Sequence, residues 1–226
     1  MILSNDCWMK EQCSIGAKCA DNQFCIKLFK MDYLCKEALL SDDQRKYIQL
    51  RAEPVDIPAF TKLKEIQDNI EEFVQSGKNA YIHSNITGNG KTRWCLRLMM
   101  AYLEKIWHKS DLTCRALFIN VPRFLMALKN NISSADDYAE HIKKNVLDAD
   151  LVVWDEIGMK TATEFEHDNL LSLINARIDS GKSNLYTSNL SKEYLKDRIG
   201  ERLYSRVIGT SIDIEFFGYD KRGTKK

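Results

Sequence analysis

The feature that most limits what this chain can fold into is N-I-T-G-N-G-K-T at residues 85–92. A short apolar run precedes it at 80–83, and a helical apolar pattern follows from about residue 90 to 107, with Trp94, Leu98, Met99, Tyr102, Leu103 and Ile106 on it. A glycine-rich turn between a strand and a helix lets backbone amides point inward at an anion. The helix N-terminus adds the positive end of its dipole. The loop itself is Asn85, Ile86, Thr87, Gly88, Asn89 and Gly90. Lys91 is then placed to reach β- and γ-phosphates, and Thr92 to put its hydroxyl on Mg²⁺. The full pattern, G-x-x-x-x-G-K-[ST], has glycine where Asn85 stands. Asparagine tolerates left-handed backbone better than most residues, so the loop is expected to survive the change. The alternative is a chance G-K-T at a helix start, and the flanking strand argues against it.

The rest of the chain alternates in the same way. Further strand candidates lie at 116–121, 151–154, 185–187 and 212–217, with longer helical stretches between them. Residues 60–75 read as one amphipathic helix through Leu63, Ile66, Ile70, Phe73 and Val74, with Gly77 as its stop. Five strands alternating with helices predict an α/β fold, a mainly parallel sheet covered on both faces. At 44% hydrophobic residues the chain can fill such a core. Lys and Arg total 33 against 32 Asp and Glu, which argues against charge-dominated coating of DNA but leaves room for a local basic groove. No apolar run reaches the roughly 18 residues a membrane span needs. The first ten residues lack the basic start and apolar middle of a secretory signal, so a cytoplasmic location is expected.

Three further motifs follow in order. L-V-V-W-D-E at 151–156 ends an apolar strand in two acids, at the sheet edge where open α/β sheets bind ligands. Asp155 is expected to hold Mg²⁺, and Glu156 to orient and deprotonate an attacking water. Alone, Asp-Glu after a strand is a common solvated turn; downstream of a phosphate loop it reads as a site. Y-T-S-N at 186–189 puts Asn189 at a neighbouring strand end, where its amide would meet the water or the γ-phosphate. The alternative is a turn or helix cap. G-E-R-L-Y-S-R-V at 200–207 sets Arg202 and Arg206 four apart on one helical face. Spacing alone favours ordinary surface arginines.

The cysteines are unevenly placed: of seven, Cys7, Cys13, Cys19, Cys25 and Cys35 fall in the first 35 residues. Clustered thiols in a reducing compartment are more often metal ligands than disulfides. Cys7, Cys13, Cys19 and Cys25 could close a tetrahedral Zn²⁺ site, against the alternatives of an iron–sulfur cluster or thiols packed as small hydrophobes. Cys35 reads as a helical core residue. Pro54 and Pro58 mark a boundary. The expected division is a small Cys-rich, mostly helical domain over 1–52 and a second domain over 53–226.

With the four motifs in this order, residues 55–222 or so resemble the AAA+ ATPases of the bacterial helicase-loader group, the DnaC and DnaI loaders and their phage counterparts. The resemblance implies a three-layer AAA+ P-loop fold and ATP with Mg²⁺ as cofactors. It makes Lys91 and Thr92 the nucleotide and magnesium residues, Asp155 and Glu156 the Walker B pair, Asn189 sensor 1 and Arg206 the arginine finger, donated between self-associating protomers. Arg202 would be a secondary member of that box, and Arg222 a nucleotide sensor in a short C-terminal ending. DnaI-type loaders carry an N-terminal zinc domain that grips the helicase, which the Cys-rich segment resembles, although its thiols are not in C-x-x-C pairs. An insertion carrying Arg123, Lys129, Lys143 and Lys144 would line a path for single-stranded DNA; solvated helix faces are the alternative. The implied function is ATP-dependent loading of a DnaB-type replicative helicase onto single-stranded DNA, with no membrane role. The rivals are a transposition helper ATPase of the IstB kind and an adaptor that binds nucleotide but barely hydrolyses it. A phage origin suits the small size.

Overall fold

The computed structural model describes residues 7–9, 13, 25–47, 49–130, 136–159 and 163–221. Five strands form one sheet: β1 (Asn79–His83), β2 (Ala116–Asn120), β3 (Leu151–Asp155), β4 (Ser183–Ser188) and β5 (Ser211–Glu215), in the order β2-β3-β4-β1-β5. Every pairing is parallel. The four strands β1 to β4 are buried almost throughout, as expected of strands covered on both faces, and β5 is the half-open edge. The helices are α1 (Ile26–Glu37), α2 (Asp42–Arg45), α3 (Ile57–Asp68), α4 (Ile70–Gln75), α5 (Lys91–Ile106), α6 (Val121–Asn130), α7 (Asp137–Asn145), α8 (Glu164–Asp179) and α9 (Lys192–Gly209). Among the described residues no helix is long and apolar enough to cross a membrane.

One core lies between the sheet and α1, α3, α4 and α5, and the other between the sheet and α6 to α9. The expected five-strand parallel fold is therefore present, with local differences. The helix expected over 60–75 is two, because Asn69 leaves helical geometry (φ −111°, ψ 30°) and its side-chain amide takes the Glu65 carbonyl at 3.0 Å. This is the competition between a short amide side chain and the helix ladder. Val121, expected at the end of β2, starts α6 instead.

The N-terminal segment shares the first core. Met31, Leu34, Cys35 and Ala38 are fully buried in the same cluster as Leu98, Met99 and Phe118, and Phe118 N donates to Ala38 O at 2.9 Å. Cys35 is the core residue its helical context predicts, with its thiol 3.7 Å from Met100 Sδ and burial pushing it up to about 12. Packing thus runs continuously across the boundary expected near residues 50–58. Three of the four thiols expected to hold zinc are described, and each has another role: Cys25 Sγ caps α1 by accepting from Leu28 N at 3.3 Å, and Cys7 and Cys13 pack against the apolar core. Cys19 lies outside the described residues, as does Arg222. Among the described residues no group of three or more His, Cys, Asp or Glu is placed to hold a metal ion.

Candidate nucleotide site

The site is built at the C-terminal edge of the sheet, where β1, β3 and β4 end side by side. Residues 84–90 turn from β1 into α5. The turn needs left-handed backbone at two places, and both are glycines: Gly88 (φ 72°) and Gly90 (φ 108°). Asn85 is not among the left-handed residues, so the position where the usual pattern has glycine places no such demand here. Ser84 Oγ braces the loop from below, accepting from Ile86 N at 3.0 Å and from the buried Asn89 amide at 2.8 Å. Lys91 lies inside the turn, its Nζ 2.8 Å from Ile86 O and 3.0 Å from Asn89 Oδ1. Gly90 caps α5, so the free amides of the helix start face the same mouth.

The acids meet this loop from the end of β3, two strands away. Thr92 Oγ1 donates to Asp155 Oδ1 at 2.8 Å, joining two motifs 63 residues apart. Asp155 is 5% exposed, and burial pushes its carboxyl above the ordinary value; hydrogen bonds from Thr187 and Thr92 offset this and the neighbouring Glu156 charge adds to it. A carboxylate and a hydroxyl set together at a helix start are the hard oxygen donors that suit Mg²⁺. Glu156 follows in left-handed backbone, φ 62°. Its N–H donates to Thr187 Oγ1 at 2.9 Å, and its Oε2 accepts from Asn120 Nδ2 at 3.2 Å.

The structure brings together Asn85, Ile86, Thr87, Gly88, Asn89, Gly90, Lys91, Thr92, Asp155 and Glu156. Asn189 stands one residue past β4, with its amide 3.5 Å from Met159 Sδ. Arg202, Ser205 and Arg206 are exposed on the second half of α9, beyond a break at Gly200 (φ 75°, ψ 158°). They face away from their own chain's core. Two of the four bases between β2 and β3 are engaged within the fold: Arg123 lies 4.0 Å over the Tyr138 ring, and Lys129 is 3.6 Å from buried Glu166. Lys143 and Lys144 are exposed on α7.

Sequence reasoning missed Thr187 and Asn120, which hold the acids from neighbouring strands. Their signal was present: polar residues at the ends of buried strands β4 and β2. It also missed Asp56. This fully buried carboxylate accepts from Phe217 N at 2.8 Å and Gly218 N at 3.0 Å. A side chain at 218 would overlap it. So tethered, the last described residues reach the phosphate loop, where Lys221 N donates to Gly88 O at 3.0 Å and Thr87 Oγ1 to Asp220 Oδ2 at 3.4 Å.

A phosphate loop leading from β1 into α5, with an acid pair at the end of β3, two strands away in a β2-β3-β4-β1-β5 parallel sheet, is the arrangement of the AAA+ P-loop fold. The chain is homologous to the DnaC replicative helicase loaders: it is 27% identical to that of Buchnera aphidicola subsp. Schizaphis graminum and 25% identical to that of Escherichia coli K12, in each case over 155 residues. Those alignments take in 68% of this chain and 57% of each loader, so the chain matches little more than half the length of these relatives. No family model matches. Among solved structures, a DnaC helicase loader superposes with a TM-score of 0.60 at 19% identity, over 74% of this chain and 92% of that one. A putative primosome component from Streptococcus pyogenes gives 0.63 at 19% identity, over 84% and 98%. The replication initiator DnaA bound to AMPPCP and single-stranded DNA gives 0.55 at 18% identity, over 74% and 48%. These likenesses establish the AAA+ fold.

Proposed function

We propose that this chain is an ATP-dependent loader of a DnaB-type replicative helicase onto single-stranded DNA during replication initiation. The observation that carries the reading is the similarity to DnaC loaders together with a phosphate loop and an acid pair in one mouth. ATP would lie with its phosphates along residues 85–92. Lys91 would neutralise phosphate charge, and Thr92 and Asp155 would hold Mg²⁺, which supplies charge neutralisation at the phosphates when bound. Glu156 would take the proton of the attacking water, and Asn189 would orient that water or the γ-phosphate. Arg206, exposed on α9, would complete the site of the next protomer. Lys143 and Lys144 are the bases of the insertion most open to DNA phosphates; the initiator structure solved with single-stranded DNA shares this fold. A cytoplasmic location goes with this role.

The Cys-rich segment is the proposed helicase grip. The placement of Cys7, Cys13 and Cys25 lends zinc no support, and no step is assigned to that metal. Metal analysis of purified protein decides the point: about one equivalent of zinc per chain would restore it.

Because residues 26–40 are part of the core, removing everything before Glu53 would damage the fold along with any grip. The test therefore uses the whole chain. Wild type, Lys91→Ala and Glu156→Gln are each mixed with a DnaB-type hexameric helicase, ATP and Mg²⁺, and complex formation and ATP hydrolysis are measured. Co-elution that depends on ATP and is weakened by Lys91→Ala supports loading. Absence of a complex with helicases from several hosts would turn the reading toward a transposition helper. Binding without hydrolysis, with helicase and DNA present, would make the chain a nucleotide-switched adaptor.

A further inference from the structure

One buried hydroxyl touches both acids of the site. Thr187 stands one residue before the end of β4 and is 2% exposed. Its Oγ1 donates to Asp155 Oδ1 at 2.7 Å and accepts from Glu156 N at 2.9 Å. A hydroxyl has one proton and two lone pairs, so it fills both roles at once. The next bonds continue the stitching: Ile157 N donates to Thr187 O at 2.9 Å, and Ser188 Oγ to Ile157 O at 2.9 Å. Glu156 sits in this stitched turn at φ 62°. Left-handed backbone is sterically unfavourable for a residue with a Cβ, and it persists only where surrounding bonds over-determine it.

We propose that Thr187 is a positioning residue that holds Asp155 and Glu156 in fixed relation, one through its proton and the other through its lone pair. The inference rests on the reading of these acids as the metal and water-activating groups. It gives the two threonines on Asp155 Oδ1 different work. Thr92, at the helix start, lies where its hydroxyl can turn a lone pair toward a cation and give up its own donation. Thr187 is enclosed by the sheet, and its donation keeps the carboxylate aimed while that happens. Sequence alone suggests Asn189 as the working residue of this strand end; the geometry adds Thr187, two residues earlier and in contact with both acids.

The test compares Thr187→Val, Thr187→Ala and Thr187→Ser in the full chain. Three quantities are read: kcat and KM for ATP, the affinity for a fluorescent ATP analogue with Mg²⁺ and with EDTA, and the melting midpoint. Valine keeps the shape and loses the hydroxyl. Alanine and serine differ from each other by the hydroxyl alone, so they decide the matter if the valine variant folds poorly. Loss of the hydroxyl should lower kcat about 100-fold, the scale of an ångström-level misplacement of a catalytic group, with KM little changed. It should also cut the gain in analogue affinity that Mg²⁺ brings. Serine should recover most of both. Combined with Glu156→Gln, Thr187→Val should add little further loss, because the two act as one unit. Equal kcat and equal Mg²⁺ dependence in the alanine and serine variants would overturn the proposal. A wild type that binds nucleotide without hydrolysing it would instead overturn the ATPase reading, and the Mg²⁺ dependence would still judge Thr187.

Discussion

The two ends of the sheet are both polar, and they differ in where their polar groups lead. At the N-terminal end, Arg177 is fully buried. Its guanidinium donates to Val146 O, Ala149 O and Ser183 O and to Asn184 Oδ1, all within 2.7 Å. Asn184 Oδ1 also accepts from Trp154 Nε1 at 3.0 Å, and its amide reaches Asn79 Oδ1 at 3.0 Å. Burial pulls the Arg177 pKa down to about 10, so the cation stays charged at neutral pH and spends its donors on neutral acceptors. At the C-terminal end, Lys91, Thr92, Asp155 and Glu156 converge on one mouth, and burial raises the Asp155 pKa, a cost that a cation would relieve. The contrast teaches how to sort buried polar residues. Groups whose bonds all close inside the sheet hold it together, and groups gathered at a mouth are, on the reading proposed above, the ones that meet a ligand.

The largest expected effect breaks the first half of this comparison. Arg177→Leu takes the guanidinium donors from three buried carbonyls, while Asn184 Oδ1 keeps Trp154 Nε1, and at about 1 kcal/mol or more per carbonyl the loss is about 3 kcal/mol or more, a large part of a domain's stability. Urea unfolding should show a much lower midpoint or little folded protein; a midpoint like wild type would mean the network is not structural. Glu156→Gln should do the reverse, lowering hydrolysis about 10²–10⁴-fold while nucleotide affinity and melting stay as in wild type. Lys91→Ala removes a charged donor from the loop, and ATP affinity by calorimetry should fall about 10–100-fold with the fold intact. An unfolded Lys91→Ala variant would place this lysine with the structural group instead.

The smallest effect concerns Asp150, at the structural end. Burial alone would raise its pKa, but hydrogen bonds from Tyr102, Arg115 and Lys182 outweigh burial and hold it below the ordinary 3.8. The unfolded chain therefore binds this proton more readily than the folded one. The stabilisation is present above the unfolded value and is lost as pH falls through the folded value. Asp150→Asn should cost about 1–2 kcal/mol at pH 7, and the gap from wild type should narrow in acid. A gap that stays constant from pH 7 to about pH 3, below the ordinary aspartate value, would show that Asp150 is not held as described.

The sequence by itself determined the parts whose physics is local. The phosphate loop was legible because glycine at 88 and 90 is what left-handed turns demand, and the lysine and threonine that follow have one direction to face. The parallel sheet was legible because short apolar runs alternating with helical periods have few other solutions. The acid pair was legible because it ends an apolar strand. Tertiary structure decided what those groups touch. The order β2-β3-β4-β1-β5 sets β3 beside β4, so Thr187 meets Asp155, and α5, entered from β1 on the other side of β4, brings Thr92 to the same carboxylate. It also decided that the N-terminal helix joins the main core and that Cys25 caps a helix. No spacing along the chain records these outcomes, because each is the pairing of one surface with another that only the finished sheet brings together.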